Sequence, residues 1–189
     1  DRVRRIRQKS DIPIALMTYY NPVFHFGEEK AIKAAVKAGV DGFIIPDLPC
    51  EEAGDLIEYA KKANISTVFF VAPTTIHHIE SGNKRLKEIS NKSSGFIYYV
   101  ALYGVTGPAA YNNPSFENDF SWIKMMDIKK PICVGFGIST PKQVREFTRY
   151  FDGVIVGSAI VQEIEKNTGR SDLVSKVSRY VSTLVEAAK

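Results

Sequence analysis

Residues 131–159, PICVGFGISTPKQVREFTRYFDGVIVGSA, decide the fold. Two short apolar runs, PICVGFG (131–137) and GVIVGSA (153–159), flank the stretch TPKQVREFTRYF (140–151), whose apolar residues fall at helical spacing. Thr140 supplies an N-cap oxygen, Pro141 takes the first helical position, where a missing N–H costs nothing, and Gln143 completes a capping box. Val144, Phe147 and Phe151 fall on one inward face. Strand, helix and strand at this pitch make a right-handed βαβ unit, and that unit requires a parallel sheet.

The same alternation extends towards the amino terminus. PIALMTYYN (13–21), GFIIPD (42–47), STVFFVAP (66–73) and GFIYYVAL (95–102) are continuous apolar runs of the kind found in parallel strands buried on both faces. Amphipathic stretches separate them: Ile32, Ala35 and Val36; Ala53, Leu56, Ile57 and Ala60; Phe116, Phe120 and Ile123. After the last strand the turn-rich NTGRSD (167–172) leads to a helix with Leu173, Val174, Val177, Val181, Leu184 and Val185 on its apolar side, expected to close the C-terminal side.

An open doubly wound sheet and a closed eightfold barrel both satisfy this periodicity. No GxGxxG turn follows the first strand, and the strongest glycine turns end the last two strands, where barrels hold phosphate. The expected fold class is therefore α/β, a TIM (β/α)8 barrel in a single partial domain over residues 1–189. The chain carries six of its units, strands three to eight, and the first two are expected upstream of Asp1.

At 44% hydrophobic and 24% charged residues the composition is that of one globular domain. No apolar run approaches the roughly 20 residues of a membrane helix, and DRVRRIRQKSD (1–11) lacks an apolar signal segment, so a cytoplasmic protein without a membrane role is expected. Cys50 and Cys133 stand far apart in no metal-ligand spacing, which argues against a disulfide or a zinc site. The net charge of +4 is scattered rather than gathered into a stripe, which argues against nucleic acid as a partner.

The chemistry is expected at the carboxyl ends of the strands. In VGFGIST (134–140) two glycines let the backbone approach a ligand, and in VGSAIV (156–161) Gly157-Ser158 opens a helical turn whose N–H groups suit an anion. Together Gly137, Gly157 and Ser158 form an expected phosphate cradle. GVTG (104–107) precedes the polar stretch PAAYNNPS, the composition of a closing loop in which Thr106 offers a hydroxyl and Gly107 a bare N–H. Tyr19, Asn21, Asp47, Tyr98 and Phe136 stand at strand ends as aromatic walls with few polar groups, suited to a flat apolar substrate bearing a phosphate. Asp47 is the one carboxylate directly at such an end; Asp41 and Asp152 precede their strands, at the structural face. His77, His78 and Glu80 read as a solvated helix start rather than a metal site, and His25 as an unassigned loop residue.

LMTYYNP (16–22), GVDGFIIPDLPCEEA (39–53), VAPTT (71–75), GFIYYVALYGVTG (95–107), VGFGIST (134–140) and DGVIVGSAIV (152–161) occur in this order, and the chain carrying them closely resembles the alpha subunit of tryptophan synthase. The resemblance implies a lyase that cleaves indole-3-glycerol phosphate to indole and glyceraldehyde 3-phosphate, with no cofactor of its own and a beta-subunit partner that holds pyridoxal phosphate. It implies an indole and glycerol pocket of Tyr19, Asn21, Phe24, Asp47 and Tyr98, with Thr106 and Gly107 on the closing loop. It adds Gly107 to Gly137, Gly157 and Ser158 around the phosphate, and turns the segment around Pro49 towards the beta subunit. The family's catalytic glutamate and aspartate fall upstream of Asp1, so no residue of this chain inherits either role. Ala101, Tyr103 and Pro108 depart from the family pattern in the closing-loop region. A binding module without turnover and another sugar-phosphate aldolase or isomerase are the alternatives.

Overall fold

The computed structural model describes residues 1–76, 79–100, 121, 123–126, 128–135 and 137–189. Six strands, β1 (Ala15–Met17), β2 (Gly42–Ile44), β3 (Ser66–Val71), β4 (Ile97–Val100), β5 (Ile132–Gly135) and β6 (Gly153–Ile155), pair in chain order, every pair parallel. They form a curled half-barrel. The described helices are α1 (Arg2–Arg7), α2 (Tyr20–Phe26), α3 (Glu28–Ala38), α4 (Gly54–Lys62), α5 (Pro73–Ile76), α6 (Ile79–Lys92), α7 (Pro141–Phe147), α8 (Ser158–Lys166) and α9 (Leu173–Ala187).

Register divides the strand residues into two faces. On the helix-covered face Phe43 pairs with Thr67, and Phe69 with Ile97 and then Ile132. All five are buried, together with Tyr99 and Val134 one step further along. Ile32 of α3, Leu56 of α4, Leu86 of α6 and Val144 and Phe147 of α7 complete that layer, each removing apolar surface from water. Tyr99, fully buried, stacks on Phe151 with centroids 5.3 Å apart.

The concave face differs from the two-sided burial expected of these runs. Ile44, Phe70, Tyr98, Val100, Cys133 and Ile155 are half-buried and Met17 is 62% exposed, although Val68 is buried. The reason is geometric: among the described residues β1 and β6 are not paired, so the inner face curves without closing on itself.

The amino ends of the strands repeat one device. Asp41, just before β2, accepts from Ile14 N–H at 2.7 Å, while its own N–H donates to Ile14 C=O. Asp152, just before β6, does the same with Ile132, at 2.8 Å and 3.0 Å. Arg7 of α1 joins the first of these: its guanidinium pairs with Asp41 and donates to Gly39 C=O at 2.7 Å. Both aspartates thus hold strand starts, as their positions at the structural face suggested.

The helix over TPKQVREF forms with its capping box intact, and Phe151 is buried just beyond its end. Three expectations change. Tyr20–Phe26 is helical where the run of β1 and a following loop were expected, so His25 lies in the last turn of a helix. Val36 of α3 is 47% exposed, off the buried Ile32 and Ala35 stripe. In α9 Leu173, Val177 and Val181 are half-buried and Leu184 is buried, with Tyr180 and Ala187 joining the face that docks onto α7 and α8, so of the expected apolar side only Val174 and Val185, off that face, stay exposed. Ile123 is buried, whereas Phe116 and Phe120 lie outside the described residues.

Candidate functional site

Gly135 of β5 pairs with Ile155 of β6. Gly137 and Gly157 each follow that pair by two residues, at the carboxyl ends of neighbouring strands. Gly137 has φ +66, a left-handed conformation in which a Cβ would be strained. Gly157 is the N-cap of α8, with no heavy atom within 4 Å of where a Cβ would sit, so open space rather than packing borders its backbone. Ser158 is exposed at the first position of α8, and the N–H groups of Ser158 and Ala159 have no carbonyl a turn below them. First-turn N–H groups and the positive end of the helix favour an anion here.

Below this rim lies an aromatic wall on the concave face. Tyr98 of β4 stacks on Phe70 of β3, centroids 4.7 Å apart and rings 24° from parallel. Burial holds the Tyr98 phenol above its ordinary pKa, so it stays neutral. The two glycines of VGFGIST therefore serve different ends. At Gly135 it is the Tyr98 ring, not a ligand, that takes up the room a side chain would need, whereas Gly137 is set by its left-handed φ. Phe70 is the wall residue that the sequence reading passed over; its period-two spacing from Val68 on β3 was the available signal.

Tyr19, Asn21 and Phe24 gather after β1 on the first turns of α2: Tyr19 is its N-cap, 69% exposed, and Phe24 is 62% exposed. Asp47, in the loop after β2, reaches this helix. Its Oδ1 accepts from Tyr20 N–H at 2.8 Å, capping α2 from another segment of the chain. The residues following Asp47 are tied to α6. Lys92 Nζ donates to Cys50 C=O at 3.1 Å, and Arg85 pairs with Glu51 at 2.9 Å. Leu48 and Cys50 are buried there, with Pro49 half-buried between them.

Thr106, Gly107 and Phe136 lie outside the described residues, as do Ala101, Tyr103, Pro108, His77 and His78. Among the described residues no three His, Cys, Asp or Glu side chains gather as metal ligands, and no helix is long and apolar enough to cross a membrane. A cavity of about 510 Å³ lined by Val3, Leu16, Phe26, Ala35 and Phe43 involves α1, α2, α3 and the first two strands, away from the rim formed by β5 and β6.

The arrangement can hold a phosphate at β5 and β6 and face a flat apolar group with Phe70 and Tyr98. The chain matches the family described as "Tryptophan synthase alpha chain" along residues 1–189. It is 39% identical over 184 residues to the tryptophan synthase alpha chain of Thermoanaerobacter sp., covering 97% of this chain and 67% of that one. To the alpha chain of Geotalea daltonii it is 41% identical over 184 residues, covering 96% and 66%. Among solved structures, one of a tryptophan synthase complex from Pyrococcus furiosus superposes with a TM-score of 0.80 at 33% identity, covering 97% of this chain and 70% of that one. A tryptophan synthase alpha chain from Legionella pneumophila gives a TM-score of 0.82 at 31% identity, covering 98% and 66%. The chain spans about two thirds of the length of the curated relatives it matches.

Proposed function

This chain belongs to the family of tryptophan synthase alpha chains, and from that premise we propose that it binds indole-3-glycerol phosphate for cleavage to indole and glyceraldehyde 3-phosphate. The observation that supports the reading is the placement of Gly137 and Gly157-Ser158 just past the carboxyl ends of the paired strands β5 and β6, in the sheet whose strands β3 and β4 carry the stacked Phe70 and Tyr98. A phosphate needs the first and an indole ring suits the second.

Cleavage breaks the bond between the indole ring carbon and the side-chain carbon that bears a hydroxyl. The ring carbon gains a proton, the hydroxyl loses one, and that carbon becomes the aldehyde of glyceraldehyde 3-phosphate. An acid and a base are needed, in environments that keep one protonated and the other ionised. The resemblance gives these roles to a glutamate and an aspartate, and gives binding and orientation to residues of this chain. Its own residues bind and orient: Gly107, Gly137, Gly157 and Ser158 at the phosphate, and Tyr19, Asn21, Phe24, Asp47, Tyr98, Thr106 and Phe136 around the indole and glycerol portions.

No cofactor takes part in this half of the chemistry. A beta subunit carrying pyridoxal phosphate receives the indole, docking beside the segment around Pro49, and the protein works in the cytoplasm. A solved Pyrococcus furiosus structure described as the tryptophan synthase a2b2 complex supports a partner of this kind.

The gene product, supplied with indole-3-glycerol phosphate, releases indole and glyceraldehyde 3-phosphate in equal amounts. Binding without release assigns a ligand-binding module instead, and turnover of a different sugar phosphate in its place overturns the reading.

A further inference from the structure

We propose that Tyr180, on the C-terminal helix α9, is a positioning residue for the phosphate cradle. The inference rests on the phosphate reading above. Tyr180 Oη donates to Ser139 C=O at 2.7 Å, across 41 positions of sequence. Ser139 N–H donates to Gln143 Oε1 of α7 at 2.8 Å. Both backbone polar groups of Ser139 are thus held by side chains, one from each of two helices. Gln143 Oε1 also accepts from Thr140 N–H at 3.0 Å, and Thr140 Oγ1 accepts from Gln143 N–H at 3.3 Å.

Ser139 ends a short tether that starts at Gly137, and between them Ile138 is buried in the core. With Ile138 anchored and Ser139 held from both sides, the left-handed turn at Gly137 has little freedom. The ring of Tyr180 packs against the core, and α9 lies on both α7 and α8. Tyr180 therefore reaches the turn that carries one half of the cradle from a helix that packs on the helices following both halves. The hydroxyl is a lasting donor: burial first, and the charge of Glu163 on α8 second, hold its pKa above the ordinary value of 10.0.

Backbone N–H groups grip an anion best when they are in place before it arrives, because ordering them on binding subtracts from affinity. Removing one hydrogen bond that holds the turn is expected to weaken phosphate binding roughly three- to tenfold, with the distant bond-breaking step unchanged.

The test compares the gene product with its Tyr180→Phe variant by calorimetric titration of glycerol 3-phosphate and, separately, of indole. The expected result is a three- to tenfold weaker glycerol 3-phosphate affinity, unchanged indole affinity, and a matching rise in KM for indole-3-glycerol phosphate at unchanged kcat. Gln143→Ala, which frees the other polar group of Ser139, lowers the same anion affinity. Equal glycerol 3-phosphate affinity in wild type and Tyr180→Phe overturns this inference alone, as does an equal loss for indole, the mark of a merely structural role. A wild type that binds no glycerol 3-phosphate overturns the phosphate reading and this inference with it.

Discussion

The ring of Tyr98 occupies the space that a side chain at Gly135 would need: a Cβ there would fall 2.6 Å from Tyr98 Cζ, across the pairing of β4 and β5. A glycine that the sequence pattern places in the ligand's turn is therefore fixed by an aromatic ring on the neighbouring strand. The ring in turn is held against Phe70, so three strands share one packing constraint.

Gly135→Ala is expected to push Tyr98 off Phe70 and to destabilise the fold by about 1–3 kcal/mol, the usual cost of overpacking. Gly157→Ala, with open space beside it, is expected to leave stability nearly unchanged and to weaken phosphate binding. Urea unfolding with a glycerol 3-phosphate titration separates the two; an equal loss of stability in both variants contradicts the distinction.

Asp47 caps α2 through Tyr20 N–H. Asp47→Ala is expected to cost about 1 kcal/mol, the typical loss of an N-cap, and to lower indole affinity by loosening the turn that carries Tyr19 and Asn21. Asp47→Asn keeps an acceptor oxygen and is expected to retain most of both. Thermal unfolding and indole titration check this, and an Asn variant as impaired as the Ala variant would show that the charge, not the cap, matters.

Gly39 ends α3 at φ +87, and a Cβ there would fall 2.9 Å from Arg7 Cγ. Gly39→Ala is expected to cost about 1–2 kcal/mol from left-handed strain, and more if Arg7 loses its hold on Asp41. The melting temperature reports the loss, and Arg7→Ala in the same background is expected to recover part of it.

Burial pushes the thiols of Cys50 and Cys133 up to about 11 from an ordinary 9.0. Each thiol holds its proton longer in the folded protein than in the unfolded chain, so its share of stability is complete below pH 9 and is lost as pH rises towards 11. Urea midpoints measured from pH 8 to pH 11 are expected to fall. The Cys50→Ala, Cys133→Ala double variant is expected to fall less steeply, the raised tyrosines Tyr20, Tyr98 and Tyr180 accounting for the remainder.

Much of this was legible in the residues themselves. The order of strands and helices follows from apolar runs broken by amphipathic stretches, and the start of α7 from Thr140, Pro141 and Gln143. The left-handed turn at Gly137 and the helix opening at Gly157-Ser158 follow from local backbone preference. Helix α2 was hidden because the group that caps it is the carboxylate of Asp47, 27 residues from Tyr20, while its N-cap residue Tyr19 supplies no side-chain cap of its own. Sequence alone determined the six strands, their parallel order and the glycine turns at Gly137 and Gly157, because those depend on neighbours a few residues apart. Only the tertiary structure decided that Gly135 yields to Tyr98, that the concave face is half-covered, and that Tyr180 holds Ser139. Each of these depends on register and packing between segments distant along the chain, which no local pattern encodes.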